Sequence, residues 1–325
     1  MGWKYRSLLL ITGLAAFCAA TAPAMAAWPE RPVHILVTTA PGGGADTMAR
    51  LIGGKLAEKW GQTVLIENRP GGDGLIAYNA VAHAPPDGYT LGWLVQSFSV
   101  LPSQHDMLPY DPVKDFTPIS LLLKQPQILL VSGTSPINTA KDLIALAKSK
   151  PGGLNYGSSG LGSSQFMDME RFKKMTGTDL VHIAYQGGAG PAQTALLGGE
   201  IQALFQPIST VLEQIKGGRM KGLAVTSEKR HPALPDIPTV AEATGFTGLE
   251  NGGGWYGITG PGRMSSEIVT RLHEDIKAML ATPEVRRVID PQGLLVVMNS
   301  PAEFAELLRS DIPKQAEIMK SIGTK

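Results

Sequence analysis

Short unbroken apolar clusters alternate along the chain with stretches in which apolar residues recur every three or four positions. Val33 to Thr38, Thr63 to Glu67 and Thr90 to Val95 read as strands, and Met48, Leu51, Ile52 and Leu56 mark a helix between the first two. Pro85-Pro86-Asp87-Gly88 is a turn. A second series starts near Ala140, with Thr139 as N-cap and Leu143, Ile144 and Ala147 facing inward. It continues through strands Leu154 to Gly157, Leu180 to Ile183, Ile201 to Phe205 and Leu223 to Thr226, with helices from Ser163 and near Pro191. Phe166, Met169, Phe172 and Met175 form a helical stripe that reads as core. The chain returns through Trp255 to Ile258 and ends in helices, the last carrying Phe304, Leu307, Leu308 and Ile312.

This alternation predicts an α/β protein built on parallel sheets covered by helices. If the last segment completes the first sheet, the chain forms two lobes with two chain crossings, near Leu121 to Val131 and Glu250 to Trp255. Lobe 1 would comprise residues 27–125 and 254–325, and lobe 2 residues 126–253. Gly252-Gly253-Gly254 is the expected hinge, and two crossings suit a clamshell that closes on a ligand.

The N-terminus adds a compartment. Lys4 and Arg6 precede the apolar run Leu8 to Ala20 and then Ala24-Met25-Ala26, the pattern of a secretory signal over residues 1–26. Cleavage after Ala26 removes Cys18, the one cysteine of the chain, so both cores must stand without disulfides. The full chain has 29 Lys and Arg against 28 Asp and Glu; loss of Lys4 and Arg6 leaves 27 against 28. That near-neutral balance, without basic runs, argues against nucleic acid or a membrane surface as partner.

The candidate chemistry lies in glycine-rich turns. Ala40-Pro41-Gly42-Gly43-Gly44 joins a strand to a helix whose first amides point into the turn, an anion-binding arrangement. Asp46 and Thr47 stand where a triphosphate cradle would place its Lys and Ser or Thr, so a small carboxylate fits better than a nucleotide. Asn155 to Gln165, containing Gly157-Ser158-Ser159-Gly160-Leu161-Gly162-Ser163, forms a second such turn, and Tyr185-Gln186-Gly187-Gly188 a third. Gly72-Asp73-Gly74-Leu75-Ile76-Ala77 matches a dinucleotide fingerprint only formally, because Val95-Gln96-Ser97 lacks the acidic residue that would hold a ribose. The six histidines form no metal-binding motif, and the serine-rich turn departs from G-x-S-x-G. No catalysis, metal or cofactor is expected.

The motifs Ala40-Pro41-Gly42-Gly43 with Asp46 and Arg50, Glu67-Asn68-Arg69-Pro70-Gly71, Pro86-Asp87-Gly88-Tyr89-Thr90, Tyr110-Asp111-Pro112, Asn155 to Gly160, Leu223 to Ser227 and Pro235 to Glu242 occur in one order. In that order the mature chain resembles the Bug-type receptors of tripartite tricarboxylate transporters. The resemblance implies a periplasmic-binding-protein fold of the Venus-flytrap kind, a periplasmic monomer, a small organic acid as ligand and a membrane permease as partner. By motif position it places Ala40, Pro41, Gly42, Gly43, Ser158, Ser163, Tyr185 and Gly187 at the ligand, extended by Gln96, Ser97, Phe166 and Gln206. Phe166, Gln186 and Ala195 stand where such receptors commonly have histidine, a basic residue and aspartate. Those departures predict a pocket less cationic than a citrate site, suited to a monocarboxylate or an aromatic acid packed on Trp93, Phe98 or Phe166. The rival readings are a sensory receptor using the same cleft and, behind it, a periplasmic hydrolase.

Overall fold

The computed structural model describes residues 28–105, 107–185, 189–250 and 252–321; the expected signal segment and Gly187 lie outside them. The chain begins with β1 (Val33–Val37), α1 (Gly44–Trp60), β2 (Val64–Asn68), α2 (Leu75–Ala82), β3 (Thr90–Val95), α3 (Ser97–Val100) and β4 (Phe116–Gln125). It continues through β5 (Gln127–Ser132), α4 (Ala140–Ser149), β6 (Asn155–Ser158), α5 (Ser164–Thr176), β7 (Val181–Ala184) and α6 (Ala189–Gly198). Next come β8 (Ala203–Pro207), α7 (Ile208–Lys216), β9 (Met220–Val225) and α8 (Val240–Thr244). The return comprises β10 (Gly254–Pro261), α9 (Ser266–Leu280), α10 (Pro283–Ile289), β11 (Leu295–Val296) and α11 (Pro301–Ser321).

Two sheets result, ordered β11-β4-β10-β3-β1-β2 and β7-β6-β8-β5-β9. Each has apolar clusters on both faces, so the molecule is a two-lobed α/β protein with two crossings, β4 to β5 and β9 to β10. The sheets are mixed, whereas the alternation of elements predicts parallel ones. β1 pairs in parallel with β2 and β3, and β6 with β7 and β8, because helices carry the chain back each time. β10 runs antiparallel to β3 and β4, and β5 antiparallel to β8 and β9. The reversed strands are β5, which the chain enters directly from β4 through Pro126, β10, which enters from the other lobe, and the short β11 beside β4.

Local signals explain the boundaries. Thr139 caps α4 in a reciprocal capping box with Asp142, worth about 1 kcal/mol. Gly61 and Gly177 end α1 and α5 in the left-handed conformation. At Gly257 on β10 a Cβ would stand 2.4 Å from Cζ of Phe304, so the absence of a side chain lets the far end of that ring from α11 approach the strand.

α11 does more than complete the first lobe. Phe304 and Leu308 belong to the core around Tyr78 and Trp255, but Ile318 and Met319 belong to the second lobe's core. Arg171 of α5 pairs with Asp311 of α11 at 3.3 Å, so the helix is gripped by both lobes.

Candidate functional site

The first glycine turn is held from beneath by a charge. Asp46, in the first turn of α1, is 3 % exposed and accepts from Gly42 N at 2.9 Å, Asn68 Nδ2 at 2.8 Å and Arg50 Nε at 3.1 Å. Asn68 Nδ2 also reaches Thr39 O at 2.9 Å, and Arg50 Nη2 donates to Asn68 Oδ1 at 2.7 Å. The Arg50 hydrogen bond, with those of Gly42 and Asn68, holds the Asp46 carboxyl down to about 2. Few atoms lie around this carboxylate beyond its own partners, so it is covered rather than deep. The network ties β1, β2 and α1 together below the turn. Ala40, Pro41, Gly42 and Gly43 above it are exposed, with Gly42 at φ +86°. Gly43 is the N-cap of α1 and contributes no side-chain cap, so the first helix amides remain open toward the turn.

The second turn is built differently. Ser158, fully buried at the end of β6, has its Oγ 2.7 Å from His182 Nε2 and accepts from Gly160 N at 3.1 Å. Burial lowers the His182 pKa, favouring neutral imidazole. Ser163 caps α5, accepting from Phe166 N at 3.3 Å and donating to Gly160 O at 2.7 Å. Both hydroxyls named by the sequence are therefore engaged within their own turn.

The remaining expected residues fall in several places. Ser97 Oγ donates to Asp73 O at 3.0 Å, while Gln96 is buried beside it with Oε1 unpartnered among the described residues. Tyr185 follows β7, its amide donating to Ser158 O at 2.8 Å, and Gln206 is fully buried on β8. Phe166 is only 2 % exposed, its ring 4.7 Å from that of His182. Trp93 and Phe98 are likewise buried in the first lobe's cores. The three rings expected to offer apolar surface to a ligand are thus core members in this structure, because sheet faces and helix undersides claim them first.

Contacts run from one turn to the other along the boundary between lobes. Thr38 lies beside Gly74, Asp73 bonds Ser97, and a Cβ on Gly162 would stand 2.6 Å from Gln104 Nε2, just beyond α3. Deeper in the boundary, Gly253 at the second crossing has φ +89° and leaves no room for a side chain, since a Cβ would come within 2.2 Å of Gln125 O. Its amide donates to Asp168 Oδ2 of α5 at 2.6 Å. A cavity of about 510 Å³ opens beside this crossing, between α5 and α11, and of the expected site residues takes only Gln96. Sequence patterning missed Asp168, which sits inside the apolar stripe of α5, and Tyr256, whose hydroxyl reaches the start of α1.

Among the described residues no group of three His, Cys, Asp or Glu is placed to hold a metal, and no helix is long and apolar enough to cross a membrane. Residues 48–324 match the family model of the tripartite tricarboxylate transporter family receptor. The chain belongs to this receptor family. The receptor is 30 % identical to BugT of Bordetella pertussis over 98 % of both chains. It superposes on Rpa4515 of R. palustris, solved with adipate, with TM-score 0.73 and 31 % identity, covering 91 % of this chain and 98 % of that one. MatC of Rhodopseudomonas palustris, solved with bound malate, gives TM-score 0.70 and 30 % identity over 90 % and 99 %. Family and fold are those of solute-binding proteins rather than enzymes.

Proposed function

We propose that this receptor works in the periplasm, where it captures a small aliphatic mono- or dicarboxylate between its lobes and presents it to the membrane permease of a tripartite transporter. One carboxylate sits at the turn Ala40 to Gly43. The observation that carries this reading is the exposed turn with open helix amides, stiffened by the Asp46 network, at the carboxyl end of β1. Adipate and malate, held by related proteins, set the size of the ligand. The donors around the turn are amides and hydroxyls, so the site neutralises one carboxylate better than the three of citrate. An aromatic acid finds no support, since Trp93, Phe98 and Phe166 are enclosed in the cores. Closure about Gly253 is the signal the permease reads, which requires the ligand to favour the closed form.

Calorimetry and thermal unfolding with acetate, malate, adipate, benzoate and citrate test the reading. Binding of one aliphatic acid per chain is expected, with the acid recovered unchanged and about 2.7 kcal/mol of added stability at a hundredfold excess over Kd. Citrate binding tighter than every mono- and dicarboxylate, or no binding across the series, would overturn it.

A further inference from the structure

Along β10, Trp255 faces the core beneath α11 and Tyr256 the core beneath α1. The Tyr256 ring lies 5.9 Å from that of Trp93 and the residue is 8 % exposed. Its hydroxyl reaches past this packing to the start of α1, where a Cβ on Gly44 would stand only 3.1 Å from Oη. No described residue forms a hydrogen bond with that hydroxyl. The ring is covered while the hydroxyl is not among the buried polar atoms, so this donor stays open to the space at the start of α1. The first amides of α1 lack a side-chain cap at the same turn, and a carboxylate oxygen accepts from hydroxyl and amide donors alike.

We propose that Tyr256 donates its hydroxyl to the carboxylate held at the first turn, making it a ligand-binding residue that no motif in the sequence reveals. The inference rests on the receptor reading above and assigns one further donor to the same site. Burial pushes the phenol up to about 12, so the hydroxyl keeps its proton throughout the physiological range. Its place on the chain adds a second role. β10 leaves the hinge at Gly254, two residues earlier, so a ligand that engages Tyr256 touches the strand that emerges from the crossing. A methyl group at Gly44 would crowd the hydroxyl at 3.1 Å, so the phenol would have to give way by a few tenths of an ångström.

The test is Tyr256→Phe, which keeps the ring and its packing on Trp93 and removes one oxygen. The probe is whichever of malate, adipate and acetate the native receptor binds most tightly by calorimetry. Affinity should fall about tenfold, the equivalent of 1.4 kcal/mol, with the unliganded Tm unchanged. Gly44→Ala, which leaves the phenol intact but moves it, should weaken the same acid. Native-like affinity in Tyr256→Phe would overturn the inference and leave the receptor reading standing. Failure of the native protein to bind any of the three acids would overturn both. If Tyr256→Phe lowers the unliganded Tm, affinity is compared at a temperature where both proteins are fully folded, and native affinity there overturns the inference.

Discussion

The first two glycine turns each lead into a helix that buries an aspartate, and the two carboxylates are shifted in opposite directions. Asp46 of α1 has Gly42, Asn68 and Arg50 around it and is held down to about 2. Asp168 of α5 is completely enclosed and pushed up to about 7, chiefly by burial, with Gly253 N as its one hydrogen-bond donor and Arg171 acting at a distance. Asp168 Oδ1 has no hydrogen bond among the described residues. Both residues are nearly inaccessible, so exposure alone does not decide ionisation: Asp46 is thinly covered and held by three donors, whereas the deep burial of Asp168 outweighs the one donor it has among the described residues. The first lobe spends a charge on stiffening the turn expected to meet a ligand. The second lobe leaves its carboxylate poorly matched at the crossing, while Ser158, Ser163 and His182 shape its turn with neutral groups.

The comparison breaks most severely at Asp46. Asp46→Ala strands the Gly42 amide and frees Arg50 and Asn68, and should cost about 2 to 3 kcal/mol in urea denaturation along with acid binding at the turn. Full retention of both would show the network to be idle. Asp168 predicts the reverse sign. Its raised pKa means the native state keeps a proton that the unfolded chain sheds near 3.8, so stability is fully present below that pH and declines as pH rises to about 7. Asp168→Asn should therefore match the native protein near pH 4 and exceed it by on the order of 2 kcal/mol at pH 8. Parallel stability curves for the two proteins from pH 4 to 8 would contradict the contrast. Asp46 loses its contribution only as pH falls from about 4 through about 2, a window in which Asp168 is already protonated. The smallest effect belongs to Ser163→Ala, where loss of the α5 cap should lower stability by about 1 kcal/mol. A Tm indistinguishable from native would show that other groups cap the helix.

The turns, the N-cap at Thr139 and the two-lobed α/β order of elements were legible because each is local: glycine where φ is positive, threonine before an apolar repeat, strands alternating with helices. What escaped depends on distant partners. Asp168 interrupts a stripe of Phe166, Met169 and Phe172, and only the return of the chain 85 residues later supplies its donor. Tyr256 reads as one more alternating strand residue until α1 is packed beneath it. Trp93, Phe98 and Phe166 were assigned to a ligand surface on aromatic character, but apolar rings go to whichever face closes first, and here that is the core. The direction of β5, β10 and β11 was hidden for the same reason, since periodicity records which residues face inward and not which way a strand runs.

The C-terminal helix changes what kind of joint this is. Two short strands alone would make a free pivot. α11, clamped by Phe304 at one end and by Ile318 and Met319 at the other, spans the pivot as a leaf spring, and Pro313 removes one rung of its hydrogen-bond ladder between the clamps. Any rotation that parts the lobes must flex the helix there or pull one end from its seat. Work done on that helix in parting the lobes would be returned on bringing them together, so the stiffness of the last helix would enter the balance between open and closed forms beside the ligand.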